Sequence, residues 1–136
     1  MQKKKDNSSF NIKLIIQGRI PSKKNSRMLF ARGGKLMNIP SKAYAEWHKD
    51  AMGQLLTYTS GTIQNVKKVT LALYAPDKRA SDLTNKAESI MDLLVDKGVL
   101  EDDNWWIVSN IELIFMGVDK EYPRCEVCII QKETPQ

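Results

Sequence analysis

The sequence predicts an α+β domain, a mixed β-sheet of about four strands with two main helices packed on it. Three observations predict it. Apolar residues alternate in short segments, the mark of half-buried strands, and recur at helical spacing in two longer segments. These segments follow one another in the order β-α-β-α-β-β. A length of 136 residues suits a single domain with one core.

Residues 1–10 read as a disordered basic N-terminus, opening with Lys3, Lys4 and Lys5. Residues 11–17 form the first strand, with Ile12, Leu14 and Ile16 on one side. Residues 18–26 form a loop by their Gly, Pro and Ser content. Residues 27–38 fit a short hairpin turning at Gly33 and Gly34. Ser41 is placed to cap the first helix, whose apolar face is Tyr44, Trp47, His48, Ala51, Met52, Leu55 and Leu56. Residues 66–74 form the next strand, with Val69, Leu71 and Leu73 on one face. The second helix spans 84–97, buries Ala87, Ile90, Met91 and Leu94, and ends at Gly98. Asn85, Glu88 and Asp92 fall on its opposite side. Residues 105–116 and 126–131 close the sheet.

Composition is that of an ordinary globular chain, 42% hydrophobic and 27% charged. No apolar run is long enough to cross a bilayer. The basic start leads to Asp6 and Asn7 and not to an apolar signal segment, so a cytoplasmic location is expected. Cys125 and Cys128 have the spacing of half a zinc site, but a strand turns residues three apart to opposite faces. Reduced cysteines are expected, and His48 is expected to be packed or half-exposed within its helix.

Charge is unevenly distributed. The net charge is +5, yet residues 1–43 hold eleven basic residues against one acid, Asp6. That end suits phosphate contact, or else is a solvated face. Carboxylates concentrate between 77 and 103, in Asp82 and Glu88 and again in Glu101, Asp102 and Asp103. Carboxylates brought together repel and need a counter-cation, and hard divalent ions prefer oxygen ligands. Asp82 precedes the second helix and Asp102 and Asp103 follow it, and the two groups are expected to meet at one end of the sheet. Glu88, one turn beyond Asn85, is expected to join them. The alternative is that these are surface acids, as Asp92 and Asp96 are expected to be. Lys78, Arg79 and Lys86 would add positive charge beside a phosphate. Trp105 and Trp106 are expected in the core or an interface, with base stacking as the alternative.

Pro21-Ser22-Lys23-Lys24-Asn25-Ser26, the helix around Tyr44, Asp82-Leu83-Thr84-Asn85, Asp92-Leu93-Leu94 and Gly98-Val99-Leu100-Glu101-Asp102-Asp103 occur here in that order. As an ordered set, running from about Ile12 to Gln131, they resemble the RusA family of Holliday junction resolvases, small metal-dependent endonucleases of bacteria and phages. The resemblance implies that residues 11–136 are a nuclease domain acting as a homodimer. It implies dependence on Mg²⁺, with Mn²⁺ as a substitute, and symmetric paired nicks in four-way DNA junctions. It also suggests a phage or prophage setting. The metal-binding acids carry over to Asp82 and to Asp103 with Asp102 beside it. Where members often show D-L-D-N, this chain has Thr84, and where they often carry a lysine it has Glu88. Lys86 then stands in for the missing cation and Glu88 for the missing carboxylate. DNA contacts are assigned to Lys23, Lys24, Asn25, Arg27, Lys78, Arg79 and Asn85. Two other readings remain open, a catalytically inactive DNA-binding protein of the same fold and a nuclease for other branched DNA. Ile114 and Met116 on the closing strands are the expected interface residues.

Replacing both lysines of the first loop, Lys23→Ala with Lys24→Ala, is expected to weaken DNA binding. It should flatten the dependence of log K on log salt by about 1.8, the value for two lost phosphate contacts. An unchanged slope in a salt titration of binding would remove these lysines from the interface.

Overall fold

The computed structural model describes residues 11–22, 27–32 and 35–132, with residues 27–40 as backbone only. In chain order the elements are β1 (Asn11–Gln17), β2 (Arg27–Arg32), β3 (Lys35–Pro40), α1 (Lys42–Gln54), β4 (Val66–Ala75), α2 (Leu83–Lys97), β5 (Ile111–Val118) and β6 (Arg124–Gln131). The expected disordered N-terminus and the Gly33-Gly34 turn lie outside the described residues. β2 and β3 pair antiparallel as a separate two-stranded sheet. The other four strands form one mixed sheet in the order β1-β6-β4-β5. β6 runs antiparallel to β1 and β4, and β4 runs parallel to β5.

The alternation in the sequence becomes three apolar rows across this sheet, because strand side chains repeat every second residue. Ile12, Ile129, Val69 and Ile111 form the first row; Leu14, Val127, Leu71 and Leu113 the second; Ile16, Cys125, Leu73 and Phe115 the third. The helices cover this face except at the β5 edge, where Ile111 and Phe115 stay exposed. Ala51 of α1 and Ile90, Leu93 and Leu94 of α2 join the rows in one core. Each fully buried leucine or isoleucine stabilises the fold by about 1.5–3 kcal/mol relative to exposure. On the uncovered face Arg124 lies over the rings of Tyr74 and Tyr122, at 3.6 Å and 4.4 Å from their centroids. It also donates to Glu126 and Asp119.

Helix ends follow local chemistry. The Ser41 hydroxyl accepts from the Tyr44 N–H at 3.1 Å and starts α1. α1 ends at Gln54, before the apolar stripe runs out, so Leu55 is buried and Leu56, expected on the same face, is exposed. α2 ends at Gly98, whose φ of 86° is left-handed, and the Gly98 and Val99 N–H groups return to Val95 and Leu94.

The segment expected to be a strand from residue 105 starts instead as a turn. The Asn104 side-chain oxygen accepts from the N–H groups of Trp106 and Ile107, and its carbonyl accepts from Ile107 and Val108. β5 therefore begins only at Ile111. Cys125 and Cys128 are free, and Cys125 alone is fully buried. Burial pushes the Cys125 thiol up to about 12, so it stays protonated at neutral pH.

A Cβ at position 98 would meet open space, so Gly98→Ala tests backbone conformation alone. It is expected to destabilise the fold by about 1–2 kcal/mol, the left-handed penalty, with Gly98→Asn closer to the parent. Urea denaturation midpoints compare the three, and equal midpoints for alanine and glycine would show that no such penalty exists.

Candidate nucleic-acid and metal site

β1 and β4 both run antiparallel to β6, so they point the same way and their following loops leave the sheet together. These loops, residues 18–22 and 76–82, meet the start of α2. Lys86 and Ser89 sit one turn apart on α2 and face the first loop. The Lys86 ammonium donates to the Ile20 carbonyl, and the buried Ser89 hydroxyl donates to the Pro21 carbonyl at 2.7 Å. Arg19 of the first loop pairs with Asp77 of the second, and Asp77 also accepts from the Arg79 N–H at 3.0 Å. That N–H and the Arg19 guanidinium hold the Asp77 carboxyl down to about 2.

Between the two loops, α2 and the end of β5 lies a cavity of about 400 Å³. Leu73, Leu83 and Phe115 supply apolar wall, and Arg19, Lys78, Arg79 and Lys86 supply four cations against the single carboxylate of Asp77. Partial burial lowers the Lys86 ammonium pKa, and the neighbouring charges of Arg19 and Arg79 add to the effect. Lys86, expected as a free cation beside a phosphate, thus has a structural partner in the loop. Arg19, Asp77 and Phe115 belong to this cavity although sequence reasoning did not single them out as site residues. No local signal marked them, since Arg19 and Asp77 lie 58 residues apart and meet only through the fold.

Asp82 occupies the N-cap position of α2, but its side chain does not cap the helix. It is exposed and accepts from the Asn85 amide at 3.2 Å. Asn85, assigned to DNA, is thereby turned toward Asp82. Thr84 and Glu88 are exposed on the same helix.

The second acidic block is a self-bonded turn. One Asp102 oxygen accepts from the Asp103 N–H at 2.7 Å and the other from the Asn104 amide at 2.8 Å. These bonds lower the Asp102 pKa, the Asp103 N–H contributing most. Asp103 itself is exposed. Trp105 and Trp106 follow with 76% and 87% of their surface exposed, so of the two places expected for them, core or interface, the turn excludes the core of their own chain. Asp96 is exposed, as expected of a surface acid, and its carboxylate lies 2.8 Å from His48 Nε2, linking the two helices; His48 is half-exposed, as expected.

The two acidic blocks do not meet within one chain, contrary to the expectation that they share one end of the sheet. Parallel β4 and β5 require the helix between them to run back along the sheet. Asp82 stands where α2 starts, after the carboxyl end of β4. Thr62 and Ile63, which precede β4, bond the Gly98 and Val99 carbonyls, and the Val69 N–H bonds Asn110. The segment 98–110 is therefore tied to the amino end of β4. The 15 residues of α2 rise about 22 Å between these ends. Among the described residues no group of three or more His, Cys, Asp or Glu side chains is arranged to hold a metal ion.

Lys23, Lys24 and Asn25 lie outside the described residues, as does the side chain of Arg27. Lys78 and Arg79 are exposed at the rim of the cavity. Among the described residues no helix is long and apolar enough to cross a membrane. Compared with models of known protein families the chain matches none, and no curated protein matches it.

A carboxyl whose folded pKa is depressed stabilises the fold above its unfolded value and loses that contribution as pH falls toward the folded value. For Asp77 the window runs from about 4 down to about 2. NMR titration of the Asp77 carboxyl carbon is expected to show its midpoint near that lower value. A midpoint near 4, the ordinary value of about 3.9, would mean that the contacts to Arg19 and Arg79 are not formed in solution.

Proposed function

We propose that this chain is a metal-dependent endonuclease of branched DNA that works as a homodimer and resolves four-way junctions by paired nicks. One observation carries the reading: Asp82, exposed and not engaged in capping its helix, stands beside a cavity rimmed by four cations. A carboxylate there can hold a divalent ion while the neighbouring cations meet phosphate charge. The ordered motifs that resemble the RusA family support the same reading.

The donor set fits Mg²⁺ or Mn²⁺, since Asp82 and Asp103 offer only carboxylate oxygens and Mg²⁺ takes one or two of these with water or phosphate oxygens. When bound, the ion polarises the scissile phosphate and lowers the pKa of the attacking water. Asp82 and Asp103 stand at opposite ends of α2, so a shared ion needs Asp82 of one protomer and the partner subunit's Asp103. A twofold axis makes two such sites, one for each of two opposed cuts. Asp102 holds the turn that presents Asp103. Asn85 orients Asp82, and Lys78 and Arg79 face phosphate charge at the rim. Lys86 and Ser89, through the Ile20 and Pro21 carbonyls, hold the root of the segment that leads by way of Lys23, Lys24 and Asn25 to Arg27 at the start of β2. Glu88 remains the candidate for the carboxylate that Thr84 lacks.

The distance between the acids within one chain also favours a second reading, a DNA-binding protein of this fold without catalysis. Incubation of a synthetic four-way junction with and without Mg²⁺ separates the two, and competition by flap DNA tests the choice of branched substrate.

Asp82→Asn and Asp103→Asn are each expected to abolish cleavage while keeping junction binding. Mixed dimers of the two variants, made by co-refolding, retain one site with both carboxylates. They are expected to regain nicking of one strand per junction. No regain from verified mixed dimers would place both acids of each site in one chain, and full cutting by either variant alone would remove that residue from the site.

A further inference from the structure

The fold leaves two complementary surfaces at opposite ends of α2. At one end Trp105 and Trp106 project from the acidic turn, 76% and 87% exposed, beside Glu101, Asp102 and Asp103. At the other end is the 400 Å³ cavity beside Asp82, with apolar walls from Leu73, Leu83 and Phe115. Phe115 is 58% exposed there. Soluble domains rarely leave paired indoles uncovered unless they meet a partner.

We infer that the Trp105–Trp106 turn of one copy docks in the cationic, apolar cavity beside Asp82 of a second copy. Charge supports this occupant: three exposed carboxylates closely precede the indoles in the chain, and four cations with one carboxylate line the cavity. The arginines at the rim are also placed to meet indole faces, the best partners for cation–π contact. Size agrees too, because the cavity falls in the class of about 300–1,000 Å³ that encloses compact ligands. Each copy carries both surfaces, so one twofold axis makes the contact twice. Four indoles remove about 600–1,000 Å². The walls that they cover bring the total into the range of a stable dimer, about 1,200–2,000 Å². The inference rests on the homodimer of the proposed function and names the residues that bring Asp103 of one copy toward the other copy's Asp82.

Sedimentation velocity over a dilution series, without DNA or metal, tests it. The parent chain is expected to be a dimer, and Trp105→Ala with Trp106→Ala to raise the dimer Kd at least about 30-fold. Both indoles are exposed, so circular dichroism should show the fold retained. Arg79→Glu and Glu101→Lys are each expected to weaken the dimer, and the two together to restore it in part. A monomeric parent, or a dimer that ignores all three changes, would overturn the inference. The nuclease reading fails separately: a dimer that responds to these changes but never cuts a junction with Mg²⁺ keeps the interface and loses the enzyme.

Discussion

A helix that joins two parallel neighbouring strands must travel back along the sheet, because the second strand starts where the first one started. β4, α2 and β5 obey this constraint, and the remaining features of the candidate site follow from it. It sends Asp82 to the carboxyl end of the strands and the acidic turn to the amino end. The loops after β1 and β4 converge at that same carboxyl end because both strands run antiparallel to β6, and open sheets containing parallel strands commonly bind ligands there.

The convergence is held by few bonds of unequal weight. Ser89 is buried, and its hydroxyl satisfies a loop carbonyl that would otherwise lose its water partner. Lys86 does the same for Ile20 at the cost of partial burial of a cation. The Arg19–Asp77 pair is exposed, and such pairs contribute little to stability. Its effect is on position: it sets two basic loops side by side and leaves an excess of positive charge around the cavity. That excess is what an anionic partner would relieve, whether phosphate or carboxylate.

Local rules explain the departures from the sequence expectations. Leu56 has the right spacing for the buried stripe of α1, but the helix stops before it. Trp105 and Trp106 look like the start of an apolar strand, yet Asn104 captures the N–H groups that a strand would have given to its neighbour. In each case short-range periodicity was right about polarity and silent about which competing hydrogen bond would form.

Local patterns along the chain were enough for the strands with alternating apolar residues, the two helices with their Ser41 and Gly98 ends, and the candidate residues Asp82, Asp103, Lys78 and Arg79. These depend on side-chain spacing and on local backbone chemistry, both of which are written within a few residues. Tertiary contacts were needed to set the two acidic groups at opposite ends of the sheet, to give Lys86 and Ser89 to the first loop, and to bring Arg19, Asp77 and Phe115 into one cavity. Those facts depend on strand order and direction, which arise from contacts between segments far apart in the chain and leave no periodic mark within any one of them.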